Sequence, residues 1–325
     1  MYLEAGIVLP TPLVDGRRWP VCYNIHGFGG SHRAAWQAGP GLIKKMDEEG
    51  YPRMLYVFLN AQFPLGHHEF ADSVNNGPWG EALVTELIPA IERELGGDGR
   101  PAARFLTGHS SGGWSSLWLQ VSYPDFFGGT WSTSPDSSDF RDFTGIDIYA
   151  GKSAYVDADG KNISLVRRKG QWVGTIRQYV DEEVKAGDHG GQFQSFDAVF
   201  SPRGEDGRPM PLFDRLTGAI DPRVAKAWER YDISLLLRRR WSFLEKRLRG
   251  KLRVYCGLED TYRLEGAARL LKEELARLGS DAEVILVEGR DHGSIFAPHR
   301  DLWPQGMMER IHREMIQRYE FLAWD

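Results

Sequence analysis

A serine between two glycines is the first feature of this chain that could do chemistry. Gly108-His109-Ser110-Ser111-Gly112 fits the pattern G-x-S-x-G, in which a serine lies on a sharp turn between a strand and a helix with its hydroxyl exposed. The pattern alone is weak, because a chain with 37 glycines contains it by chance roughly one time in four. An apolar run at 104–107 enters the motif and an apolar stripe with helical spacing at 114–121 leaves it. We therefore predict that Ser110 is a nucleophile.

A serine hydroxyl is a weak nucleophile at neutral pH, so the fold must supply a base and an acid that orients the base. His292 lies in a glycine-bearing loop after the last predicted strand, and Asp260 follows the predicted strand before it. The order nucleophile, acid, base along the chain is the order found in α/β-hydrolases. We predict His292 as the base and Asp260 as the acid, and Glu259 stays the competing acid.

Ester or amide cleavage also needs hydrogen-bond donors for the negative charge that develops on the substrate oxygen. The glycine-rich stretch His26-Gly27-Phe28-Gly29-Gly30 follows an apolar run and allows backbone N–H groups to turn toward the serine. We predict an oxyanion hole formed by the N–H groups of Phe28 and Ser111. A phosphate-binding loop is the alternative, but the stretch fits neither G-x-x-x-x-G-K-[ST] nor G-x-G-x-x-G.

Three other polar clusters could form rival sites. The first, 67–69 with Asp72, contains metal-ligand residue types, but adjacent residues rarely converge on one ion, so we predict a structural loop. The second, 157–162, resembles a calcium loop without its final glutamate and is predicted to be a solvated turn. The third, 188–190, repeats Asp-His-Gly but precedes the acid and would break the triad order. No metal or cofactor is predicted.

The elements that would position these residues can be read from the alternation of two patterns. Short apolar, β-branched or aromatic runs alternate with longer segments of helical periodicity, which predicts an α/β fold with a mostly parallel, twisted sheet flanked by helices. The predicted strands lie at 3–9, 21–25, 54–59, 103–107, 129–133, 252–256 and 283–287.

The alternation breaks between the nucleophile half and the acid/base half. We predict three regions: a core at 1–135, a large insertion at 136–250 and the rest of the core at 251–325. The insertion is rich in loop-forming and aromatic residues, and only 224–248 has helical periodicity. We expect it to cover the site as a lid or substrate pocket. The alternative is that its aromatic residues fill a small core of their own.

Composition excludes several classes of function. The net charge is -5, with 40 Lys and Arg against 45 Asp and Glu, which offers no basic field for nucleic acid. No apolar run reaches the roughly 18 residues of a membrane span, and no basic-then-apolar leader follows Met1. The chain as written is expected to be soluble and cytoplasmic. Cys22 and Cys256 lie in apolar runs and are predicted to be buried thiols.

At these residues the chain resembles the putative-esterase family of the α/β-hydrolases, which includes esterase D, enterochelin esterases, mycolyl transferases, and feruloyl and acetyl-xylan esterases. The resemblance covers the sheet core on both sides of the insertion. The matching stretches are 23–30, 107–114, 123–127 and the loops of Asp260 and His292.

The resemblance implies an α/β-hydrolase fold and a serine carboxylesterase that acts without a cofactor through an acyl-enzyme intermediate. Its substrate would be a small-molecule or polysaccharide-linked ester, of the feruloyl, acetyl-xylan or another aromatic type. The alternatives are a serine peptidase of the prolyl-oligopeptidase type, an acyltransferase and a non-enzymatic relative. The family usually has further strands before residue 3, and a longer protein would leave room for a signal peptide and a secreted or periplasmic location.

Overall fold

A seven-stranded sheet forms the centre of this computed structural model, which describes residues 2–11, 14, 16–187 and 190–322. The strands lie in the order β1-β3-β2-β4-β5-β6-β7; β1 is antiparallel to β3, and every other neighbouring pair is parallel. The prediction of a mostly parallel sheet is confirmed. The strands are β1 (Ala5–Val8), β2 (Val21–Ile25), β3 (Leu55–Leu59), β4 (Arg104–His109), β5 (Gly129–Thr133), β6 (Leu252–Gly257) and β7 (Glu283–Val287).

Helices follow most of the strands. Their bounds are α1 (Ala34–Met46), α2 (Trp79–Ala82), α3 (Ile88–Leu95), α4 (Ser111–Ser122), α5 (Ile176–Ala186), α6 (Gln192–Phe200), α7 (Pro222–Trp228), α8 (Ile233–Leu248), α9 (Glu265–Arg277) and α10 (Met307–Leu322). A π-helical segment, Leu83–Leu87, joins α2 to α3 without a break.

The helices cover both faces of the sheet, because successive residues of a strand point to opposite faces. Cys22 and Phe105 pack on one face with residues of α1 and α10. Their neighbours Tyr23 and Leu106 pack on the other face with residues of α3 and α4. Strands buried on both faces read as continuous apolar runs, which is why the sequence located them well.

Both cysteines lie in the core. Cys22 in β2 and Cys256 in β6 are buried free thiols, which confirms the prediction made from their surroundings. Burial raises the pKa of Cys22 to about 12, so this thiol stays protonated and unreactive near neutral pH. Within the described ranges, no helix is both long and apolar enough to cross a membrane.

The segment 136–250 is more regular than predicted. A β-hairpin pairs Ser164–Arg168 with Gln171–Thr175, and α5 and α6 follow it, so the prediction of irregular loops before residue 224 is wrong for this part. The predicted helical end is confirmed by α7 and α8. The periodicity of α5 was hard to see because Ile176 and Val180 are its only described fully buried residues and most of the others are polar. The capping box of Thr175 and Gln178 was the available signal.

The insertion shares a core with the sheet. Phe140, Phe196 and Trp228 of the insertion belong to the same buried cluster as Trp114 of α4 and Val254 of β6. The aromatic residues of the insertion that are buried in this cluster include Tyr155, Phe193, Phe196 and Phe213. Removing the insertion would therefore expose the side of the core that it covers.

Candidate active site

Ser110 lies on a tight turn between β4 and α4. Its backbone is in an unusual conformation, with φ 60° and ψ −125°. Ser110 N–H donates to the carbonyl of Thr133 (3.0 Å), and Ser110 C=O accepts from the N–H of Asp136 (3.1 Å). These two bonds join the strained turn to the loop after β5. A non-glycine residue keeps such a conformation only where its surroundings hold it in place, and this commonly occurs at functional sites.

The two glycines of the motif are required by close backbone packing. A Cβ atom at Gly108 would overlap the carbonyl oxygen of Gly112, and a Cβ atom at Gly112 would overlap the carbonyl oxygen of Ile25. The ends of β2, β4 and α4 thus approach too closely for any side chain to lie between them. This packing brings the serine beside the loop that follows β2.

That loop runs alongside the serine. A Cβ atom added at Gly27 would lie 3.1 Å from Ser110 Cβ, so the loop runs close beside Ser110. Among the described residues, the N–H of Phe28 has no hydrogen-bond acceptor. The N–H of Ser111 is the first of α4 and has no acceptor within the helix. The geometry therefore offers two backbone donors near Ser110 to a negatively charged oxygen.

His292 and Asp260 are hydrogen-bonded. His292 Nδ1 lies 2.8 Å from Asp260 Oδ2, and Asp260 Oδ1 also accepts from the N–H of Tyr262 (2.9 Å). Asp260 is fully buried, whereas Glu259 is exposed. The structure thus pairs His292 with the first of the two carboxylates considered from the sequence. With Nδ1 bonded to Asp260, Nε2 is the nitrogen left for a proton transfer.

Aromatic rings hold the imidazole of His292 in place. The ring of His109 lies 4.2 Å from it, and the ring of Tyr262 meets it edge-on at 5.0 Å, centroid to centroid. Burial and then the nearby charge of His292 lower the pKa of His109 to about 3. His109 is therefore neutral near pH 7 and packs against His292 without adding a charge.

Two buried acids lie behind the serine; sequence reasoning missed Asp136 and considered Glu69 only as a possible metal ligand. Asp136 Oδ2 accepts from Ser111 Oγ (2.6 Å), and Asp136 Oδ1 lies 3.4 Å from Ser110 Oγ. Glu69 Oε2 accepts from Ser115 Oγ in α4 (2.7 Å). No hydrogen bond joins Ser110 Oγ to His292 among the residues the structure describes. The available signal for Asp136 was its place just after β5, since polar groups at the carboxyl ends of parallel strands commonly form sites.

The loop 67–69 is a buried structural element, as predicted. His67 Nδ1 accepts from the N–H of Glu69 (3.2 Å), so its Nε2 carries the proton and donates to the carbonyl of His26 (3.0 Å). His68 stacks on the ring of Trp79 at 4.1 Å. In the described part of the chain, no three His, Cys, Asp or Glu side chains are arranged to hold a metal ion.

The other two polar clusters belong to the insertion. The predicted turn at 157–162 is confirmed: Asp157 Oδ1 accepts from the N–H groups of Asp159 and Lys161, and all three residues are exposed. Asp188 and His189 of the third cluster lie outside the described residues.

Comparison with known proteins identifies a family for this chain. The model of the family described as "Putative esterase" matches residues 3–239. The chain belongs to this esterase family. It is therefore a hydrolase with the α/β-hydrolase fold, as the resemblance implied. A search of curated proteins finds no significant match.

Solved structures show the same fold at low sequence identity. One is a ferulic acid esterase, with 13% identity, a TM-score of 0.56 and coverage of 98% of this chain and 91% of the other. FphF, a fluorophosphonate-binding serine hydrolase of Staphylococcus aureus, has 12% identity, a TM-score of 0.55 and coverage of 97% and 91%. An S-formylglutathione hydrolase of Agrobacterium tumefaciens has 14% identity, a TM-score of 0.53 and coverage of 98% and 89%.

In this esterase the insertion supports the loop that carries Asp260. Arg167 lies in the insertion hairpin, and its Nη2 donates to the carbonyls of Leu258 (3.1 Å) and Asp260 (3.0 Å) and to the carboxylate of Glu265 (2.8 Å). The N–H of Arg167 donates to the carbonyl of Thr261 (2.8 Å). One residue of the insertion thus bonds to three backbone carbonyls of this loop, those of Leu258, Asp260 and Thr261.

Arg167→Met should reduce kcat about 10- to 100-fold toward 4-nitrophenyl acetate, because small displacements of a catalytic group are costly. KM should change by less than about threefold, since Arg167 is not expected to bind the substrate. The matched control is Arg168→Met, which alters an exposed neighbour in the same strand. Steady-state kinetics on the folded variants would measure both kcat and KM. Equal kcat values for the two variants would show that the acid loop does not depend on Arg167.

Proposed function

We propose that this esterase hydrolyses carboxylic esters through a covalent intermediate on Ser110, with His292 as base and Asp260 as the acid that orients it. The observation that carries the proposal is that two features lie together at the carboxyl ends of the parallel strands. A strained serine turn follows β4, and a histidine whose Nδ1 is bonded to a buried aspartate follows β7. The ring of His109, next to Ser110 in the chain, touches that histidine.

The chemistry would proceed in two steps. Ser110 Oγ attacks the ester carbonyl carbon while its proton passes to His292 Nε2, and the N–H groups of Phe28 and Ser111 bind the oxyanion. The tetrahedral intermediate then expels the alcohol, which takes the proton from His292. In the second step water gives a proton to His292 and attacks the acyl group, and Ser110 recovers its proton as the carboxylic acid leaves.

We propose an ester with an aromatic ring in its acyl or alcohol part as the substrate class. The support is the set of aromatic side chains around the base. Tyr262 packs on His292, and Phe296 packs on His109 at 4.9 Å. Of the insertion aromatics, Tyr179 is partly buried and Trp172 is exposed. Aromatic side chains give large, rigid apolar contact areas, which favours ring-bearing substrates over a bare acetyl ester.

Ser110→Ala and His292→Ala should each lower kcat by at least about 10⁴-fold, because the nucleophile and its base act as a unit. The assay would use 4-nitrophenyl acetate, a methyl hydroxycinnamate and acetylated xylan, together with an aminoacyl-proline amide. Esters should be cleaved and the amide spared. Preferential cleavage of the amide would identify a peptidase instead. Retention of more than about a tenth of the activity in either variant would disprove the assigned roles.

Asp260→Asn should lose about 10⁴-fold in kcat, because an amide favours the wrong tautomer of His292. Glu259→Gln is the matched control and should have little effect, since Glu259 is exposed. Comparison of kcat for the two variants at one pH separates the candidate acids. A severe loss in the glutamine variant with a mild loss in the asparagine variant would assign the acid role to Glu259.

A further inference from the structure

Asp136 is the acid closest to the proposed nucleophile, yet the mechanism above does not use it. Its carboxyl accepts a hydrogen bond from Ser111 Oγ at 2.6 Å, and its backbone N–H donates to Ser110 C=O at 3.1 Å. Its other oxygen lies 3.4 Å from Ser110 Oγ. Among the described residues, this carboxyl is the only hydrogen-bond partner of the Ser110 hydroxyl.

The Ser110 hydroxyl has one hydrogen to donate, so its partners compete for it. An ionised carboxylate can only accept hydrogen bonds. An ionised Asp136 would therefore accept the one hydrogen bond that the serine hydroxyl can donate, and that hydrogen would no longer point at His292. A neutral carboxyl can donate instead. It would give its own proton to a lone pair of Ser110 Oγ and leave the serine hydrogen free to point at His292.

We propose that Asp136 is a positioning residue for the nucleophile and that it acts as the neutral acid, donating from Oδ1 to Ser110 Oγ while Oδ2 accepts from Ser111. This inference rests on the proposed role of Ser110. It adds a requirement that a serine, histidine and aspartate triad alone does not impose. Both His292 and Asp136 must be uncharged for the serine to react.

The surroundings of Asp136 favour its neutral form. Burial raises its pKa to about 7, with the charge of Glu69 as the next cause, and the hydrogen bond from Ser111 and the charges of His292 and His67 act in the opposite direction. Burial lowers the pKa of His67 to about 4, so His67 is itself neutral near pH 7. The charge of Asp136 also acts on Tyr179 of α5, whose pKa is raised by burial first and then by nearby charges.

The sign of the pH effect follows from these groups. Asp136 is neutral below its pKa and ionises as the pH rises through it. Ionisation turns the donor into an acceptor and places a negative charge near the oxyanion site, so the rate should fall on the alkaline side. A triad without this requirement keeps its activity at alkaline pH, because the base stays neutral there.

The test compares pH profiles from pH 5 to pH 9.5. We would measure kcat/KM for 4-nitrophenyl acetate, corrected for spontaneous hydrolysis, and the rate of covalent labelling by a fluorophosphonate. For the wild type, both rates should fall at least about tenfold between pH 7 and pH 9. Asp136→Asn has a donor that cannot ionise, so the ratio of its rates at pH 9 and pH 7 should be about one or higher.

The matched control is Asp232→Asn, because Asp232 is also a buried aspartate with a pKa raised to about 6, chiefly by burial, but it caps α8. This variant should keep the alkaline fall of the wild type. Asp136→Ala lacks both the ionising group and the donor. It should also lose the alkaline fall, with rates at pH 7 reduced about tenfold, and it serves if the asparagine variant does not fold.

Two results would overturn the proposal: a wild-type profile that stays flat to pH 9, or an alkaline fall that persists in both Asp136 variants. Mass spectrometry of the labelled protein separates this failure from failure of the proposed function. A fluorophosphonate adduct on a residue other than Ser110 would remove the nucleophile assignment. An adduct on Ser110 without the expected pH effect would remove only the role of Asp136.

Discussion

The close approach of three backbone segments at the serine turn is the constraint on which the rest of the site depends. Because Gly108 and Gly112 carry no side chains, the ends of β2, β4 and α4 meet, and the turn holds Ser110 at a positive φ. This packing sets Ser110, the proposed nucleophile, at the carboxyl ends of the parallel strands. The loops after β2, β5, β6 and β7 lie at the same end of the sheet and carry the proposed donors, acids and base. The proposed chemistry thus depends on sheet topology and on the absence of Cβ atoms at Gly108 and Gly112.

The insertion is more closely integrated with the core and the site than a removable lid would be. Its buried aromatics complete the core beneath α4, and Arg167 holds the backbone around Asp260. The proposed substrate pocket and the proposed triad are therefore linked, since a change in the hairpin that carries Arg167 would also disturb the loop of Asp260. Trp172 lies against Arg167 at 4.8 Å, which places an exposed aromatic side chain next to this support. We expect variation in specificity to arise from exposed residues such as Trp172, with the buried ones kept for stability.

Much of the sheet could be predicted because its strands are buried on both faces. The runs 21–25, 129–133 and 283–287 match β2, β5 and β7 to the residue. Helix α5 could not be recognised from apolar periodicity, because it buries a narrow stripe against a tertiary partner that the sequence does not reveal. For the same reason Asp136 was missed. Its partners Ser111 and Glu69 come from distant segments, and only the folded chain brings the three together.

The choice between Asp260 and Glu259 illustrates the same limit. Both residues follow β6 and both are carboxylic acids, so residue type and spacing cannot separate them. Burial of Asp260 and its bond to His292 separate them in the structure.

The proposed function depends most on Ser110 as the residue whose Oγ carries the acyl group. The most direct measurement uses a 4-nitrophenyl ester with a bulky acyl group, such as trimethylacetate, whose acyl-enzyme hydrolyses slowly. Rapid mixing should release a burst of about one nitrophenol per protein molecule, and mass spectrometry after an acid quench should find the acyl group on Ser110. Nitrophenol release without a burst and with the acyl group on a different residue would contradict the account.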